Sequence, residues 1–365
     1  MRIDQFVPGF APHDAIGNHV LQIRRVLREA GFESDIYGEW IVGPYRHEAR
    51  PWTESPTSGR DRVFLYHAST HSDMVGWLIE RAEEGGRLLS DYHNITPSSY
   101  YTRWMPEGAA SMVEARRELV AAAPHVELAL ADSRFNEEEL IEVGYRRTAT
   151  CRLLVDLESY HDPPDRRTFN RLRRRRDAGG ATWIFVGRVA PNKCQHDVMA
   201  AFAVYRRLFD PEARLTLVGG VAAPRYLRAL QMLAGDLELG DSVEMLDSLS
   251  HAELLAHFAV ADVFVCLSEH EGFCVPLLEA MEIGVPTVSY AAAAIPETVA
   301  ATGVLLADKD PLEVAAAVAE LLADETRARR LVEAGRERAG TFALKPTSAH
   351  LLETLTTQIG LAPRR

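Results

Sequence analysis

The chain is expected to fold as an α/β protein built from two doubly wound parallel-sheet domains. Three observations point there. Short apolar strand segments alternate with amphipathic helical stretches along the chain. That alternation restarts in the second half, after a proline- and arginine-rich break. Finally, 365 residues are too many for one ordinary core and suit two of similar size. A hydrophobic share of 47% with 25% charged residues belongs to an ordered globular chain. A formal net charge of -12 argues against nucleic acid as a partner, because a phosphate backbone is held by basic surface. The four cysteines, Cys151, Cys194, Cys266 and Cys274, have no C-x-x-C spacing, so neither a disulfide framework nor a zinc site is expected. No uninterrupted apolar run reaches the roughly 18 residues of a membrane span. Met1–Val7 reads as a strand rather than a leader. A cytoplasmic location is expected, with peripheral membrane contact left open.

The elements follow in order. Residues 2–7 form the first strand, then a polar, glycine-bearing loop runs from Gly9 to Asn18, and Val20, Ile23, Val26 and Leu27 repeat at helical spacing up to Gly31. Further strands are expected at 32–37, 63–66, 88–91 and 126–131, with a surface loop at 43–60. The break at His161-Asp162-Pro163-Pro164 and the seven arginines between Arg166 and Arg176 place a linker at 161–180. This divides the chain into a first domain, 1–160, and a second, 181–345. In the second domain, strands are expected at 182–186, 215–218, 242–246, 263–267 and 287–289, followed by helical periodicity over 312–331. A last helix at 348–358, within a tail of 346–365, could pack back on the first domain. The arginine run admits three readings: a solvated face, an anionic-membrane contact, or a site for a phosphorylated acceptor.

Most of the chemistry lies in Glu269-His270-Glu271-Gly272-Phe273-Cys274-Val275-Pro276-Leu277-Leu278-Glu279-Ala280-Met281. An apolar strand precedes it and Pro276 suits the start of a helix, so the segment reads as strand, turn, helix. Glu271 then stands at the carboxyl end of a strand beside free helix-terminal amides, and Glu279 lies in the helix that follows. Amides for an anion and carboxylates for hydroxyls suit a sugar joined to a diphosphate. The loop Gly187-Arg188-Val189-Ala190-Pro191-Asn192-Lys193 follows the first strand of the second half; Arg188 offers a planar fork and Lys193 a point charge for phosphate oxygens. No glycine-rich turn ends in Gly-Lys-Ser/Thr, so this is not a P-loop. In the first half, His93 lies just past a strand in Asp91-Tyr92-His93-Asn94-Ile95-Thr96-Pro97.

The E-x7-E stretch together with Gly187-Arg188 and Lys193 resembles the retaining GT-B glycosyltransferases, in particular glycosyltransferase family 4 (glycosyl transferases group 1). The resemblance spans nearly the whole second half and reaches more weakly into the first. It implies two Rossmann-like domains facing a cleft. It also implies a hexosyltransferase moving a sugar from a nucleoside diphosphate donor, GDP-mannose or a UDP-hexose, to a glycan, lipid-linked or small-molecule acceptor. The donor would be a co-substrate, with no resident cofactor and no metal. Arg188 and Lys193 would hold the diphosphate and Glu271 the sugar hydroxyls. Glu279 would meet the ribose, with Gly187, Gly272, Phe273, Cys274 and Val275 completing the donor contacts. His93 would face the donor sugar, and Gly17 would bring backbone amides to the phosphate. Two departures stand out. Cys274 occupies a position usually filled by glycine, where a side chain would narrow the donor pocket, and the double glycine usual near Gly17 is absent. Two rival functions stay open: a sugar-nucleotide epimerase, which would convert donor without acceptor, and a noncatalytic binding subunit, which would leave it intact.

Overall fold

The computed structural model describes residues 1–11, 15–56 and 62–361, in two compact units. Unit 1 comprises Met1–Ser99, Pro106–Val155 and Phe342–Arg365; unit 2 comprises Tyr100–Met105 and Asp156–Thr341. In unit 1 the chain forms β1 (Arg2–Phe10), α1 (Ala15–Glu29), β2 (Ile36–Ile41), β3 (Arg50–Pro51), β4 (Arg62–Ala68) and α2 (Met74–Glu83). It continues through β5 (Arg87–Tyr92), α3 (Pro106–Ala122), β6 (Val126–Ala131), α4 (Arg134–Val143) and β7 (Thr148–Thr150). These strands make one parallel sheet in the order β3-β2-β1-β4-β5-β6-β7. Every residue of β4 is buried, as a central parallel strand covered on both faces requires.

Unit 2 begins with α5 (Arg166–Asp177), β8 (Thr182–Val186), α6 (Gln195–Leu208), β9 (Arg214–Val218), α7 (Pro224–Asp236), β10 (Val243–Leu246) and α8 (His251–Phe258). It continues with β11 (Val263–Cys266), α9 (Val275–Ile283), β12 (Thr287–Tyr290), α10 (Ile295–Val299), β13 (Val304–Leu306), α11 (Pro311–Ala323) and α12 (Glu325–Gly340). The sheet is again parallel, in the order β10-β9-β8-β11-β12-β13. The last helix, α13 (Leu344–Ile359), belongs to unit 1. There Leu351, Leu355 and Ile359 join a cluster with Ile3, Ile23 and Leu27. The strand order reverses beside β1 in unit 1 and between β8 and β11 in unit 2, and such reversals open a crevice at the carboxyl ends of the strands.

Several expectations change. Residues 161–180 are not an extended linker. Asp165 caps α5 by accepting the Thr168 N–H at 2.8 Å, and Leu172 packs with Phe169 against Ala256 and Val260, so the segment is a helix within unit 2. The arginines stay outside, and Arg167, Arg171, Arg174 and Arg175 line a hollow of about 1000 Å³ with Ser250 and Glu253. The periodic stretch 312–331 is two helices, because Asp324 accepts the Arg327 N–H at 2.9 Å and restarts the chain as α12. The strands β3, β7 and β13 have two, three and three residues, too few for alternation to show in the sequence. Within the loop expected at 43–60, residues 43–47 and 52–54 form single helical turns. Residues 57–60 of that loop, and 12–14 of the loop expected at 9–18, lie outside the described residues.

Candidate active site

The reversal between β8 and β11 brings the two predicted donor segments together. After β8 the chain runs through Gly187 and Arg188 to Lys193; after β11 it runs through Glu269 and Glu271 to α9. Backbone and side chain tie the two loops to each other. The Glu269 N–H donates to the Asn192 carbonyl at 3.0 Å, and Asn192 Nδ2 donates to the His270 carbonyl at 3.0 Å. Lys193 Nζ lies 2.6 Å from Glu271 Oε2, with only 17% and 9% of the two side chains exposed. Burial pushes the Lys193 ammonium toward losing its proton, but the Glu271 carboxylate more than reverses this and holds its pKa above the usual value. Arg188 is exposed beside them, its carbonyl accepting from Gln195 Nε2 at 2.9 Å. The site thus has one buried cation paired with Glu271 and one cation exposed to solvent.

Gly187 opens the loop after β8, and that loop depends on Gly219. A Cβ on Gly219 would lie 2.2 Å from the Gly187 carbonyl oxygen, so β9 must end in glycine for the β8 loop to pass. The Gly219-Gly220 pair at a strand end was the readable signal. The turn before α9 is held from the other side: Thr298 Oγ1 donates to the Phe273 carbonyl at 2.6 Å and the Ala294 N–H to the Glu271 carbonyl at 3.2 Å. Cys274 caps α9 with φ 73°, a left-handed conformation that glycine adopts more readily. Its Sγ lies 3.9 Å from that of Cys266. Gly272 is half-buried, and Val275 opens the helix, where Pro276 has no N–H and the Leu277 N–H donates to the Cys274 carbonyl at 3.1 Å.

Glu279 is buried one turn into α9, and Tyr160 donates its hydroxyl to Oε1 at 2.5 Å. Its Oε2 has no partner among the described residues. Burial raises the Glu279 pKa above the usual carboxylate range, and the Tyr160 hydrogen bond only partly offsets this. A buried carboxylate with an unmet acceptor suits a ligand hydroxyl. Tyr160 had no local signal, since 119 residues separate it from Glu279.

In unit 1 the picture differs from expectation. Gly17 is not in a loop but in the first turn of α1, buried, where a Cβ would meet the Ala11 carbonyl at 3.1 Å. The His93 ring is 1% exposed, with Nε2 2.9 Å from His67 Nδ1 and Nδ1 3.1 Å from Asp132. Its ring is therefore engaged inside the unit. Asp132 was not singled out from sequence, because it lies within no recognisable motif.

Among the described residues, three groups of side chains lie close enough to bracket a cation. In Cys194, Asp197 and Glu269 the place is taken by Lys309, whose Nζ is 2.5 Å from Asp197 and 2.6 Å from Glu269. In Cys266, Glu271 and Cys274 the carboxylate is paired with Lys193. In His19, Asp91 and His93, the His19 Nδ1 accepts the Leu154 N–H at 2.8 Å, which leaves the ring hydrogen on the inward nitrogen.

The glycosyl transferases group 1 family model matches residues 167–338. A GDP-mannose-dependent alpha-(1-6)-phosphatidylinositol monomannoside mannosyltransferase of Mycobacterium tuberculosis (strain CDC 1551 / Oshkosh) is 36% identical over 193 residues, 50% of this chain and 49% of that protein. A D-inositol 3-phosphate glycosyltransferase of Geodermatophilus obscurus is 32% identical over 301 residues, 78% of this chain and 64% of that protein. The chain thus spans about half to two thirds of the length of these curated relatives. Among solved structures, Anabaena Alr3699/HepE in complex with UDP and glucose superposes with a TM-score of 0.77 at 17% identity, covering 98% of this chain and 100% of that one. Sucrose-phosphate synthase from Thermosynechococcus elongatus gives 0.75 at 20% identity, covering 97% and 98%. With its two parallel-sheet units in the GT-B fold, the chain carries the glycosyl transferases group 1 match in unit 2, on the segment that bears the Lys193 and Glu271 loops.

Proposed function

We propose that the chain transfers a hexosyl group from a nucleoside diphosphate sugar to an acceptor hydroxyl, with retention of configuration. The observation that carries this reading is the Lys193–Glu271 pair, held between two loops at the strand-order reversal of unit 2 and next to the start of α9. A departing diphosphate gains negative charge as the glycosidic bond breaks. Lys193, protonated, and Arg188, exposed, supply positive charge to it, and the N-terminal end of α9 adds its dipole. As Lys193 turns toward phosphate, Glu271 is released to accept hydroxyls of the sugar. Glu279, with Oε2 unmet, accepts from the ribose. The acceptor proton passes to a donor phosphate oxygen on the face the leaving group vacates, so no protein nucleophile is needed. GDP-mannose is the first donor to test, on likeness to a relative named as GDP-mannose-dependent.

Thermal-shift measurements with GDP-mannose, UDP-glucose and UDP-GlcNAc identify the donor, since a ligand bound by the native state raises the melting temperature. Lys193→Ala should then lower turnover by about 100-fold or more, the scale for losing a donor to developing oxyanion charge, with the melting temperature little changed. Glu279→Ala should act mainly on donor affinity. Near-normal turnover in the Lys193 variant rejects the diphosphate role. An inverted anomeric proton signal in the product rejects retention.

A further inference from the structure

At the carboxyl ends of β4, β5 and β6, unit 1 buries His67, Asp91, His93 and Asp132, with His19 of α1 against them. Their hydrogens can be assigned from the outside inward. His19 accepts the Leu154 N–H on Nδ1, so it carries its own hydrogen on Nε2 and donates it to Asp91 Oδ2 at 3.0 Å. Gln5 donates its amide to the Val20 carbonyl at 3.1 Å, which turns its Oε1 toward His67 Nε2 at 3.0 Å. His67 therefore donates through Nε2. Burial pushes its pKa down to about 4, so it holds that hydrogen alone and its Nδ1 is a bare acceptor. His93 Nε2 faces this acceptor at 2.9 Å and must carry a hydrogen. The other nitrogen of the same ring, Nδ1, lies 3.1 Å from each oxygen of Asp132, and that contact also needs a hydrogen.

We propose that His93 and Asp132 share one proton beyond those of a neutral imidazole and a carboxylate, and that Asp132 is thereby the positioning residue of His93. The positioning role rests on the hexosyl-transfer reading above; the shared proton does not. Charge leads to the same conclusion. Asp91 and Asp132 are 1% and 2% exposed, and two ionised carboxylates among neutral rings would leave an uncompensated double charge in the interior. Burial pushes Asp91 up, yet the facing His93 charge and the hydrogen of His19 hold it well below the usual range. Burial leaves Asp132 above the usual range, although the facing His93 lowers it in part. Cys151, the thiol facing both carboxylates, is pushed up to about 12, chiefly by burial, and stays neutral.

A proton fits this gap better than a metal does. The His67 and His93 rings are parallel within 5° with centroids 5.2 Å apart, about the most two imidazoles can have with nitrogens 2.9 Å apart. The two nitrogens thus point straight at each other. Zinc would need about 2.0 Å to each, and so about 4 Å between them along that line. The His93 ring is then a saturated, fixed strut. It sets the 93–97 loop, whose first amide donates to the Ala68 carbonyl at 2.9 Å, rather than offering its nitrogens to a sugar.

The test is NMR on the full chain labelled with 15N-histidine, with His93 assigned by loss of its signals in His93→Gln. The expected result is a hydrogen on His93 Nε2, a far-downfield proton at Nδ1, and no titration between about pH 6 and about pH 8, where an ordinary histidine changes charge. A single neutral His93 tautomer with bare Nε2, or an ordinary titration, overturns the proposal. So does stoichiometric Zn²⁺ uptake that replaces these signals. Asp132→Asn can donate its amide to a neutral Nδ1, so the downfield signal should vanish while Nε2–H stays and the fold holds. Turnover in that variant should drop about tenfold with donor KM nearly unchanged, the signature of lost transition-state positioning. A vanished signal with wild-type turnover overturns the positioning role. Signals present in a chain that transfers no sugar would instead reject hexosyl transfer and leave the shared proton standing.

Discussion

Glu279 shows how much a single buried side chain can fix. Unfolded, its carboxyl titrates near about 4.3. Folded, burial raises that value, so the native chain holds the proton more tightly than the unfolded one. The stability this contributes is fully present below the unfolded pKa and is lost as pH rises through the folded one. Every tenfold difference in proton affinity between the two states is worth about 1.4 kcal/mol. Glu279→Gln keeps an acceptor for the Tyr160 hydroxyl but cannot ionise. The variant should therefore gain melting temperature relative to the native chain between about pH 4.5 and about pH 7.5. An equal offset at both ends would show that Glu279 ionises as freely folded as unfolded. Tyr160→Phe works in the opposite direction: it removes the hydrogen bond that favours the charged form, and should make the native chain lose stability more steeply over the same interval.

Between elements, the β8 loop and the end of β9 are mutually dependent. A methyl group at Gly219 would fall 2.2 Å from the Gly187 oxygen and 3.1 Å from the Arg188 nitrogen, both backbone atoms that cannot rotate away. Gly219→Ala should cost about 1–3 kcal/mol, read as a lower melting temperature, and should raise donor KM because the loop carrying Arg188 and Lys193 must move. Unchanged donor affinity would show that this loop does not hold the donor. The sequence made the long central strands and the Glu271 turn legible, because apolar runs bounded by turn residues and a proline near a helix start are local signals. Glu271 and Lys193 could be paired only through the strand order, which local patterns leave open. Tyr160, Gly219 and Asp132 escaped for the same reason: each acts through a contact distant in sequence. The arginine run misled, since charge suggested a linker while Phe169 and Leu172, three positions apart, carried the helical face that buries α5.

At the scale of the whole chain, unit 1 is left at Val155 and completed only from Phe342 onward. Its closing helix α13 contributes Leu351, Leu355 and Ile359 to the cluster that includes Ile3, Leu89 and Leu128 of the sheet. Polar contacts fix its register: Arg87 Nη2 donates to the Ile359 carbonyl at 2.6 Å, Arg147 Nη1 to the Gln358 carbonyl at 2.7 Å, and His350 Nε2 to the Thr150 carbonyl at 3.1 Å. These contacts join residues some 200 or more positions apart, so they form late and open early relative to local helix contacts. Leu355, 2% exposed, is the test position. Leu355→Ala removes buried methyl groups from a site where the helix cannot collapse inward, and should cost about 2–5 kcal/mol. Because the lost contacts lie wholly within unit 1, amide hydrogen exchange should quicken in β1, β5 and β6 and stay unchanged in β8, β9 and β11. Equal loss of protection in both sheets would mean that the two units unfold as one, and protection retained in β5 and β6 would mean that α13 is not part of the core of unit 1.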